Sequence, residues 1–586
     1  MSATTSTCPV LVAASAALEG PGPHALSANG VDVVVVRAPG GLRAYQGRCP
    51  HQGALLAEGE VEGRALVCRN HRWRFDLETG RRLGGVQCLA VHAVTEKDGQ
   101  VAVSAAAEGE AAPATEEGAA PAAVGGRRTV ADLPGPPGLP LLGNLLQLDL
   151  DRLHQVLEGW AATYGSLYVY RLGRTPVVVV SDPDLTAQVL RARPETFRRL
   201  ADVAPVFAEM GVDGLFSAEG AAWRPQRRLA MEALSHRHLR GFYPTLRTVA
   251  ERLRGRWQGM AGQVLDVADE LKRFTVDVTT LLTFGHDVNT LEQGDDVIQR
   301  RLELVFPAFN RRLFALIPTW RFIRTPADRR LDRALEQIHT WLRGLVEKAR
   351  NLHTVDPSRA ESPSNFLEAM LAARDDAGHP FSDEVIMGNL MTMLLAGEDT
   401  TAYTLAWAVH HLCDDAAAVD GLTRELDAGL GASGVPEDFE TANRLAFAGA
   451  VANESMRLRP VAPMLFAEAN LDTAVGDVHV PKGGVVAVLM RPPVRDEENF
   501  AAPDAFRPQR WLEGAEGPHE PSAHIPFGSG PRLCPGRTLA LLEMKVVLAT
   551  LYRNFRVERV GESAAVREKF AFTMLPVGLQ VKLQPR

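Results

Sequence analysis

The sequence predicts a multidomain protein in which a small all-β module is followed by a large, mainly α module with some strands (α+β). Three observations support this fold class. The chain has 586 residues, too many for a single hydrophobic core. Residues 105–126 are Ala, Gly, Glu or Pro at all but two positions. Strand-like runs precede this segment, whereas long helix-compatible runs follow it.

The composition excludes several classes of protein. With 46% hydrophobic residues and a net charge of −8, the chain is typical of a globular protein and lacks the basic surplus of a nucleic-acid binder. It contains no run of 18 or more apolar residues, so we expect no membrane span. No Lys or Arg precedes Arg37, which argues against a secretory signal. Six cysteines are too few for a disulfide framework, so we expect thiols and a cytoplasmic location.

The first module, residues 1–104, is predicted to be built from strands. Residues 31–39, VDVVVVRAP, form an apolar strand-like run. Residues 89–105, LAVHAVTEKDGQVAVSA, alternate apolar and polar residues on both sides of Asp98 and Gly99. This pattern predicts two strands joined by a tight hairpin turn.

A linker and a helical module are predicted to follow. Residues 105–129 contain too few apolar side chains to form a core, so we expect a disordered linker. As a flexible chain, its Ala/Gly/Glu/Pro-rich part would span roughly 25–30 Å. The second module comprises residues 130–586. Four of its segments have clear patterns, two of them helical, at 327–351 and 380–412, and two strand-like, at 166–181 and 478–490.

A first group of candidate metal ligands lies in the β module. Cys49 and His51 form C-x-H, and Cys68 and His71 form C-x-x-H. Zinc is one interpretation, since two Cys and two His complete a tetrahedral structural site. Zinc fingers, however, usually pair like with like. Two mixed pairs can instead place both thiolates on one iron and both imidazoles on the other, which is the ligation of a Rieske [2Fe–2S] cluster.

The residues around these ligands extend the pattern. Pro50 and Gly53 tighten the first loop, and HRWRFDLETG at 71–80 continues with a strand and a turn. Residues 8–104 resemble Rieske ferredoxins and the Rieske domains of ring-hydroxylating oxygenases. The resemblance implies a [2Fe–2S] cluster and a role in electron transfer. Arg72 is a departure, because the family usually has glycine at that position.

A second candidate metal ligand, Cys534, lies in the large module. It stands in FGSGPRLCPG at 527–536, with three glycines around it and Arg532 two residues before it. Glycines let a backbone approach a flat ligand closely. The pattern F-G-x-G-x-R-x-C-x-G resembles the haem-binding loop of cytochrome P-450, the haem-thiolate monooxygenases. The resemblance implies haem b, with Cys534 as the iron ligand and Phe527 and Arg532 among the haem contacts.

Two further motifs occur in the order that this family has. Glu454 and Arg457, in ESMRLRP, lie on one helix face. They resemble the buried E-x-x-R pair of the family, which Arg510 of FRPQRW completes, and the implied role is structural. Trp223 and Arg227, one helical turn apart in WRPQRR, resemble the residues that reach the haem propionates.

The motif most informative about catalysis is LAGEDTTAY at 395–403. It lies inside an apolar helix, where polar side chains need a partner or a function. By resemblance, Gly397 leaves room over the iron and Thr400 hydrogen-bonds back toward the Ala396 carbonyl. The same resemblance implies that Asp399 and Thr400 manage proton delivery.

The resemblance to the haem-thiolate family covers residues 130–586, with one departure. After Pro463 the chain reads MLFAEANLD, without the arginine that many members place against a propionate. Arg227 and Arg532 are therefore expected to carry more of that contact.

Together, the two resemblances imply a Rieske ferredoxin fused to a haem-thiolate monooxygenase. The expected reaction is R–H + O₂ + 2e⁻ + 2H⁺ → R–OH + H₂O, a hydroxylation or epoxidation of an apolar small molecule. No G-x-G-x-x-G between a strand and a helix is visible, so an external NAD(P)H-dependent flavoprotein reductase is the expected electron source. By resemblance, the mostly apolar substrate pocket is lined by the loop before Trp223, Leu394–Gly397, Met464–Phe466 and Thr573–Leu575.

Other interpretations stay open at this point. A non-oxygenating or peroxide-using haem-thiolate enzyme would have little use for a fused electron carrier or for Thr400. A two-centre redox sensor would not need the intact AGEDTT sequence. A Rieske non-haem oxygenase would need two histidines and a carboxylate on one iron. The histidine pairs His236/His238 and His410/His411 lack a carboxylate at a suitable spacing.

Overall fold

The chain divides into two compact units, a small unit of residues 1–124 and a large unit of residues 125–586. The structure is a computed structural model. It describes residues 10–18, 20, 22–28, 31–38, 41–49, 55–68, 73–82, 88–97, 99–104, 128–293, 297–315, 318–375, 378–431, 433–512, 514 and 519–586.

The small unit is built from strands, as the sequence predicts. Its strands are β1 (Val10–Ala14), β2 (His24–Ala28), β3 (Val31–Ala38), β4 (Gly41–Gln46), β5 (Glu60–Glu62), β6 (Ala65–Val67), β7 (Arg74–Asp76), β8 (Val91–Lys97) and β9 (Gln100–Ser104). Six of them form one sheet in the order β1-β9-β8-β4-β3-β2, and β5-β6-β7 form a second sheet. The predicted hairpin is confirmed by the β8–β9 register, in which Lys97 pairs with Gln100.

Strand β3 explains why four valines follow one another in the sequence. Successive side chains of a strand point to opposite faces. Val33 and Val35 join one apolar cluster, with Val101 and Val103. The alternate valines of β3 join a second cluster that contains Cys49, Cys68, Trp73 and Phe75. The strand is thus buried on both sides, and Val34 and Val36 pack in the same cluster as the two cysteines.

The large unit is mainly helical. Its helices are α1 (Leu153–Tyr164), α2 (Pro183–Arg191), α3 (Val203–Glu209), α4 (Trp223–Ala233), α5 (His236–Gly259), α6 (Val267–Phe284), α7 (Val297–Leu302), α8 (Val305–Leu313), α9 (Pro326–Val355), α10 (Ser358–Glu361), α11 (Phe366–Ala372), α12 (Asp383–Leu412), α13 (Ala416–Leu430), α14 (Phe439–Arg444), α15 (Ala446–Leu458) and α16 (Arg537–Asn554). The two predicted long helices correspond to α9 and α12.

The described strands of this unit form four small sheets. They are β10 (Arg128–Thr129), β11 (Leu167–Leu172), β12 (Thr175–Val180), β13 (Phe197–Arg198), β14 (Val264–Asp266), β15 (Met464–Ala469), β16 (Thr473–Val475), β17 (Val478–Val480), β18 (Val485–Leu489), β19 (Phe555–Val560), β20 (Arg567–Ala571), β21 (Thr573–Val577) and β22 (Gln580–Pro585). Their orders are β11-β12-β18-β15-β13, β10-β17-β16, β14-β22-β19 and β20-β21. The two strand-like segments predicted from the sequence form β11, β12, β17 and β18.

Helix α12 is the centre of the large unit. It begins after Ser382, whose side chain accepts a hydrogen bond from the Val385 N–H. Most of its residues are buried on every side, because α6, α15 and α16 surround it. The helix contributes both to the cluster built with α5, α13 and α16 and to the cluster built with α4, α8 and α9. A polar motif in its middle is therefore enclosed by protein.

One predicted boundary needs a small correction. Arg128 and Thr129, placed in the linker by composition, form β10, which pairs in parallel with β17. Arg128 also forms an ion pair with Asp477 at 2.7 Å. These two residues belong to the large unit because their backbone bonds and charges are satisfied there. Residues 105–127, for which disorder was predicted, lie outside the described residues. No helix in the described part of the chain is long and apolar enough to cross a membrane.

Candidate redox centres

The two cysteines of the small unit stand at the bases of two loops. Arg48, the residue before Cys49, pairs with Leu55 in an antiparallel bridge that closes the first loop. The Cys68 N–H donates to the Trp73 carbonyl at 2.8 Å and closes the second. Both cysteines are buried and belong to the same apolar cluster. The other two predicted ligands, His51 and His71, lie outside the described residues.

Two features of this region were not predicted from the sequence. The Arg82 guanidinium lies 3.7 Å above the centre of the Trp73 ring, next to the second loop. Gly59 packs so closely on β6 that an added Cβ would collide with the Val67 carbonyl oxygen, one residue before Cys68. A glycine after Leu56–Glu58 gives no such signal in the sequence, because the close approach depends on tertiary contacts.

In the large unit, the loop of Cys534 is closed by its own backbone. The Cys534 N–H donates to the Phe527 carbonyl at 2.9 Å. Gly528 and Gly530 have φ angles of 75° and 70°, a region that favours glycine. A Cβ on Gly530 would also lie 2.7 Å from the Arg191 Cα, so this glycine lets the loop touch the end of α2. The glycines of the motif thus have a folding reason that is independent of any ligand.

The surroundings of Cys534 suit a thiolate that binds a metal. The side chain is enclosed by the protein yet presents surface to an internal hollow. Burial raises the pKa of the Cys534 thiol, while the Gly536 and Arg537 N–H groups and the charge of Arg227 act in the opposite direction. Because α16 begins at Arg537, these N–H groups lie at the N-terminus of that helix, and the Cys534 sulfur accepts from them.

Arg532, within this loop, is in contact with Trp223 of α4. The Arg532 guanidinium lies 4.3 Å from the centre of the Trp223 ring. Its Nη2 donates to the Ala218 carbonyl at 2.8 Å and to the Glu219 carboxylate. Its Nε and Nη1 are buried and have no hydrogen-bond partner among the described residues. Glu219 was not predicted from the sequence, and it lies 313 residues away along the chain.

Arg227 lies one helical turn after Trp223 on α4, as the spacing predicts. Burial lowers its pKa, the charge of Cys534 raises it, and the charge of Arg532 lowers it. Arg227 and Arg532 therefore face the same region as the cysteine. Two cations and unpartnered N–H groups beside an enclosed thiol form a donor set that fits an anionic, flat group such as haem.

The E-x-x-R pair is fully buried and joined by a third arginine. Arg457 donates to both Glu454 oxygens, at 2.8 and 2.9 Å, and Arg510 donates to the same carboxylate at 3.0 Å. The Trp511 indole N–H donates to Glu454 as well, at 2.8 Å. Arg457 also donates to the Val494 carbonyl at 2.8 Å. The network ties α15 to the segments before the Cys534 loop, and only Trp511 among its side chains was missed in the sequence.

In the centre of α12, several carbonyls accept side-chain hydrogen bonds. The Thr400 hydroxyl donates to the Ala396 carbonyl at 2.9 Å, the contact that the motif predicts. The Thr275 hydroxyl of α6 donates to the Glu398 carbonyl at 2.9 Å. Ala396 is exposed although it lies at the middle of a buried helix, so it faces an internal hollow.

Gly397 has a structural reason that differs from the one its motif suggests. A Cβ placed on Gly397 would lie 3.0 Å from the Thr279 Cγ2 and 3.2 Å from its Cβ, and closer still to its hydroxyl oxygen. The missing side chain therefore makes room for α6. Space above the iron, the role that the sequence suggests for Gly397, stays a prediction.

Asp399 lies in an enclosed charged group. Burial raises its pKa to about 6, while the charge of Lys272 and a hydrogen bond from Tyr403 act to lower it. Lys272 is itself paired with Glu303 and with Asp269, the latter at 3.1 Å. The side chains of Glu303 and Asp269 are 38% and 59% exposed, so the group extends from the middle of α12 toward the solvent.

Aromatic side chains gather around the tip of the β20–β21 hairpin. Phe572, at the tip of the β20–β21 hairpin, has a φ angle of 77°, which is strained for a bulky residue. Its ring stacks on Phe306 at 4.9 Å and contacts Phe216 and Phe309 edge-on at 5.8 and 5.1 Å. Phe216 belongs to the loop before Trp223, which was predicted to line the pocket. Phe572 adjoins the predicted segment Thr573–Leu575.

A cavity of about 360 Å³ lies between α3, α4 and the start of α12. Its charged lining residues have partners within the protein. Arg198 pairs with Glu468, and Asp213 accepts from the Ser217 hydroxyl at 2.6 Å. The Arg199 guanidinium covers the ring of Phe216 at 3.6 Å.

Comparison with known proteins decides the family. Residues 133–583 match the model of the cytochrome P450 family, and residues 8–92 match that of the Rieske [2Fe–2S] domain. The chain belongs to the cytochrome P450 family. Human mitochondrial 25-hydroxyvitamin D-1 alpha hydroxylase is 30% identical over 471 residues, which are 77% of this chain and 91% of the human protein.

Two further similarities support the assignment of this P450. A bifunctional cytochrome P450/NADPH–P450 reductase from Gibberella moniliformis is 26% identical over 463 residues, 78% of this chain but 40% of that protein. The solved haem domain of cytochrome P450DA has a TM-score of 0.70 and 25% identity and covers 78% of this chain and 99% of its own.

The family membership defines the cofactors of this P450. The P450 domain implies haem, and the Rieske domain implies a [2Fe–2S] cluster. The residues fit both groups: Cys49 and Cys68 are buried together at two closed loops, and Cys534 and Ala396 face internal hollows. This P450 is therefore a monooxygenase that carries a Rieske domain. In the described residues, no three His, Cys, Asp or Glu side chains form a further metal site.

Proposed function

We propose that this P450 oxidises an apolar small molecule with O₂ and receives its electrons through its own Rieske domain. An external NAD(P)H-dependent flavoprotein reductase would supply the cluster. The observation that carries the proposal is the union in one chain of a Rieske segment and a P450 unit with an intact proton-delivery motif. A cluster with two imidazole ligands has a higher potential than a plant-type ferredoxin. Its function in the same chain as a haem is best explained by electron transfer.

The relatives support fusion with an electron-transfer partner as a recurring arrangement. The Gibberella protein is named as a P450 joined to its reductase, and this chain matches only 40% of its length. Here the additional domain is a Rieske domain instead. Tethering of this kind raises the effective concentration of the partner to the order of mM for short flexible linkers.

The residues of this chain divide the chemistry between them. Haem, when bound, supplies the iron at which O₂ is reduced with two electrons and two protons, so that one oxygen atom enters the substrate and the other leaves as water. Cys534 would ligate the haem iron, and the N-terminus of α16 would donate hydrogen bonds to its thiolate. Asp399 would exchange protons with the solvent through Lys272 and its acidic partners.

Thr400 completes this path. Its hydroxyl already donates to the Ala396 carbonyl, so its oxygen lone pairs face outward and can accept a proton donor. A carboxyl group whose pKa is raised to about 6 is part protonated near neutral pH and can both accept and release a proton. We assign proton relay to Asp399 and proton positioning to Thr400.

The substrate is proposed to be apolar and without a formal charge. The aromatic group around Phe572 and Phe216 offers ring surfaces, and the neighbouring charges of Arg199 and Glu219 already have protein partners. The human relative is named for hydroxylation of 25-hydroxyvitamin D. That name supports C–H oxidation as the reaction type, without assigning the same substrate.

Stopped-flow spectroscopy under carbon monoxide tests the electron route. The purified chain is pulse-reduced without oxygen, and cluster reoxidation is compared with formation of the ferrous–CO haem. We expect the two traces to coincide and to be independent of protein dilution. The matched control is Cys49→Ser, which removes a cluster ligand and should abolish this haem reduction while the haem spectrum is retained.

Mixing distinguishes transfer within a chain from transfer between chains. Cys49→Ser protein is combined with Cys534→Ala protein, which keeps the cluster but loses the haem ligand. Haem reduction in this mixture at the rate of the intact chain would contradict transfer within a chain. A cluster that keeps its electrons while the haem stays ferric would overturn the whole proposal. Product formed with peroxide alone, and not with O₂ and reductant, would favour the peroxide-using alternative.

A further inference from the structure

Arg193 is a buried cation whose partner the described residues do not supply. It lies between α2 and β13 and is 4% exposed. Its Nε and Nη2 are buried and have no hydrogen-bond partner among the described residues. An uncompensated guanidinium in the interior is costly, because it loses its hydration without gaining a counter-charge. An anion bound at this place would compensate the Arg193 charge.

The charged groups near Arg193 include other arginines. Burial lowers its pKa to about 10, Arg532 lowers it further, and Glu219 raises it, so Arg193 remains a cation at neutral pH. Burial lowers the pKa of Arg199, which Arg193 and Arg532 lower further and Glu219 raises. Arg193, Arg199 and Arg532 thus lie around Glu219, and Glu195 also acts on Arg532, so cations outnumber carboxylates in this region. The haem propionates would supply negative charge there.

The residues that follow Arg193 lie against the segment that lacks the family's arginine. The Asn470 side chain donates to the carbonyls of Pro194 and Glu195, at 2.8 and 3.0 Å. Phe197 of β13 pairs with Ala469 of β15. Arg193 thus stands immediately before a segment that contacts MLFAEANLD, in which no arginine follows Pro463.

The other side of Arg193 is close to the cysteine loop. The end of α2 touches Gly530, since a Cβ there would lie 2.7 Å from the Arg191 Cα. Gly530 is two residues before Arg532, whose Nε and Nη1 are likewise unpartnered among the described residues. Two guanidinium groups with unused donors thus approach one region from two different loops.

We propose that Arg193 is a positioning residue for the haem carboxylates and takes the place of the arginine missing after Pro463. Its free donors and those of Arg532 would bind the propionates, and Glu219 would hold Arg532 in orientation. This inference concerns how haem is seated. It is independent of the electron source and of the substrate.

Haem transfer from the purified full-length chain to excess apomyoglobin tests the proposal. Arg193→Gln should lose haem at least about tenfold faster than the wild type, because one partner of a buried charged contact is removed. Arg193→Lys keeps the charge but not the forked donors and should fall between the two. The matched control is Arg198→Gln, which removes an equal charge five residues further along the chain. The Arg198 side chain is 42% exposed and is paired with Glu468.

The haem midpoint potential is a second readout, which a purely structural role would not move. Loss of a positive charge near the propionates favours ferric haem, so Arg193→Gln should shift the potential to more negative values. Arg193→Lys should leave it close to that of the wild type. If Arg193→Gln loses haem no faster than Arg198→Gln and has an unchanged potential, the proposal is wrong. Should the Gln variant fail to fold, a Lys variant that retains haem as well as Arg198→Gln overturns it.

Discussion

Substitution of Gly397 by alanine separates two explanations for the glycine of the AGEDTT motif. If the glycine is required by the packing of α6 on α12, the added methyl group meets Thr279. The structure places the new Cβ 3.0 Å from the Thr279 Cγ2 and 3.2 Å from its Cβ, whereas ordinary contacts begin at 3.4 Å. Thr279 is β-branched, helical and 4% exposed, so it cannot turn away freely.

The expected cost follows from two opposing effects. Overpacking of a close-packed core costs about 1–3 kcal/mol. Replacement of glycine by alanine inside a helix returns about 1 kcal/mol. Gly344 in α9 supplies the matched control, because a Cβ there has no neighbour within 4 Å. Gly344→Ala should stabilise the protein, and the difference between the two variants isolates the overpacking as about 1–3 kcal/mol.

Urea unfolding followed by tryptophan fluorescence measures this difference. Seven of the eight tryptophans lie in the large unit, so the signal reports mainly on that unit. Thr279→Ala removes the colliding atoms, and the double variant should recover at least half of the loss caused by Gly397→Ala. A coupling of about 0.5–3 kcal/mol is the usual range for residues in contact.

The opposite pattern would refute this reasoning. If Gly397→Ala unfolds like Gly344→Ala but no longer forms the ferrous–CO complex, the glycine serves the space above the iron. A lack of rescue by Thr279→Ala would lead to the same conclusion.

Three further outcomes are expected. Gly59→Ala should lower the iron and sulfide content of the small unit several-fold, because the added methyl group meets the Val67 carbonyl next to Cys68. The haem content should be unchanged and is the internal control. In the wild type, product formed per electron consumed should fall as pH rises through about 6, the pKa of Asp399, and Asp399→Asn should lack this inflection. Burial raises the pKa of Glu543 to about 8, so the folded state binds the proton more tightly than the unfolded state. The free energy of unfolding should therefore be highest below the unfolded pKa and fall by roughly 3 kcal/mol between pH 5 and pH 7.5. Glu543→Gln should remove this loss, and a pH-independent stability of the wild type would count against the assignment.

Features that the sequence predicted correctly are those with short-range signals. The long helices have a pattern that extends over many turns, and the β8–β9 hairpin has two turn residues between alternating strands. The contact between Thr400 and Ala396 is also local, since it joins positions four residues apart. Such features need no knowledge of the rest of the chain.

Features that the sequence did not predict join residues far apart along the chain. Glu219 pairs with Arg532 across 313 residues, and Trp511 reaches Glu454 across 57. Gly397 could be recognised as part of a motif, but its neighbour Thr279 could not. A single sequence contains no signal for such pairs, because their partners are selected by the packing of helices and loops rather than by spacing.

In both redox centres, backbone contacts hold the chain beside the cysteine ligands. Beside Cys49, Arg48 pairs with Leu55; the Cys68 N–H donates to the Trp73 carbonyl, and the Cys534 N–H donates to the Phe527 carbonyl. Holding the backbone at a residue costs conformational entropy, and at these three cysteines that cost is met when the chain folds rather than when a metal binds. Metal affinity is thereby increased, because the three thiol ligands are positioned in advance.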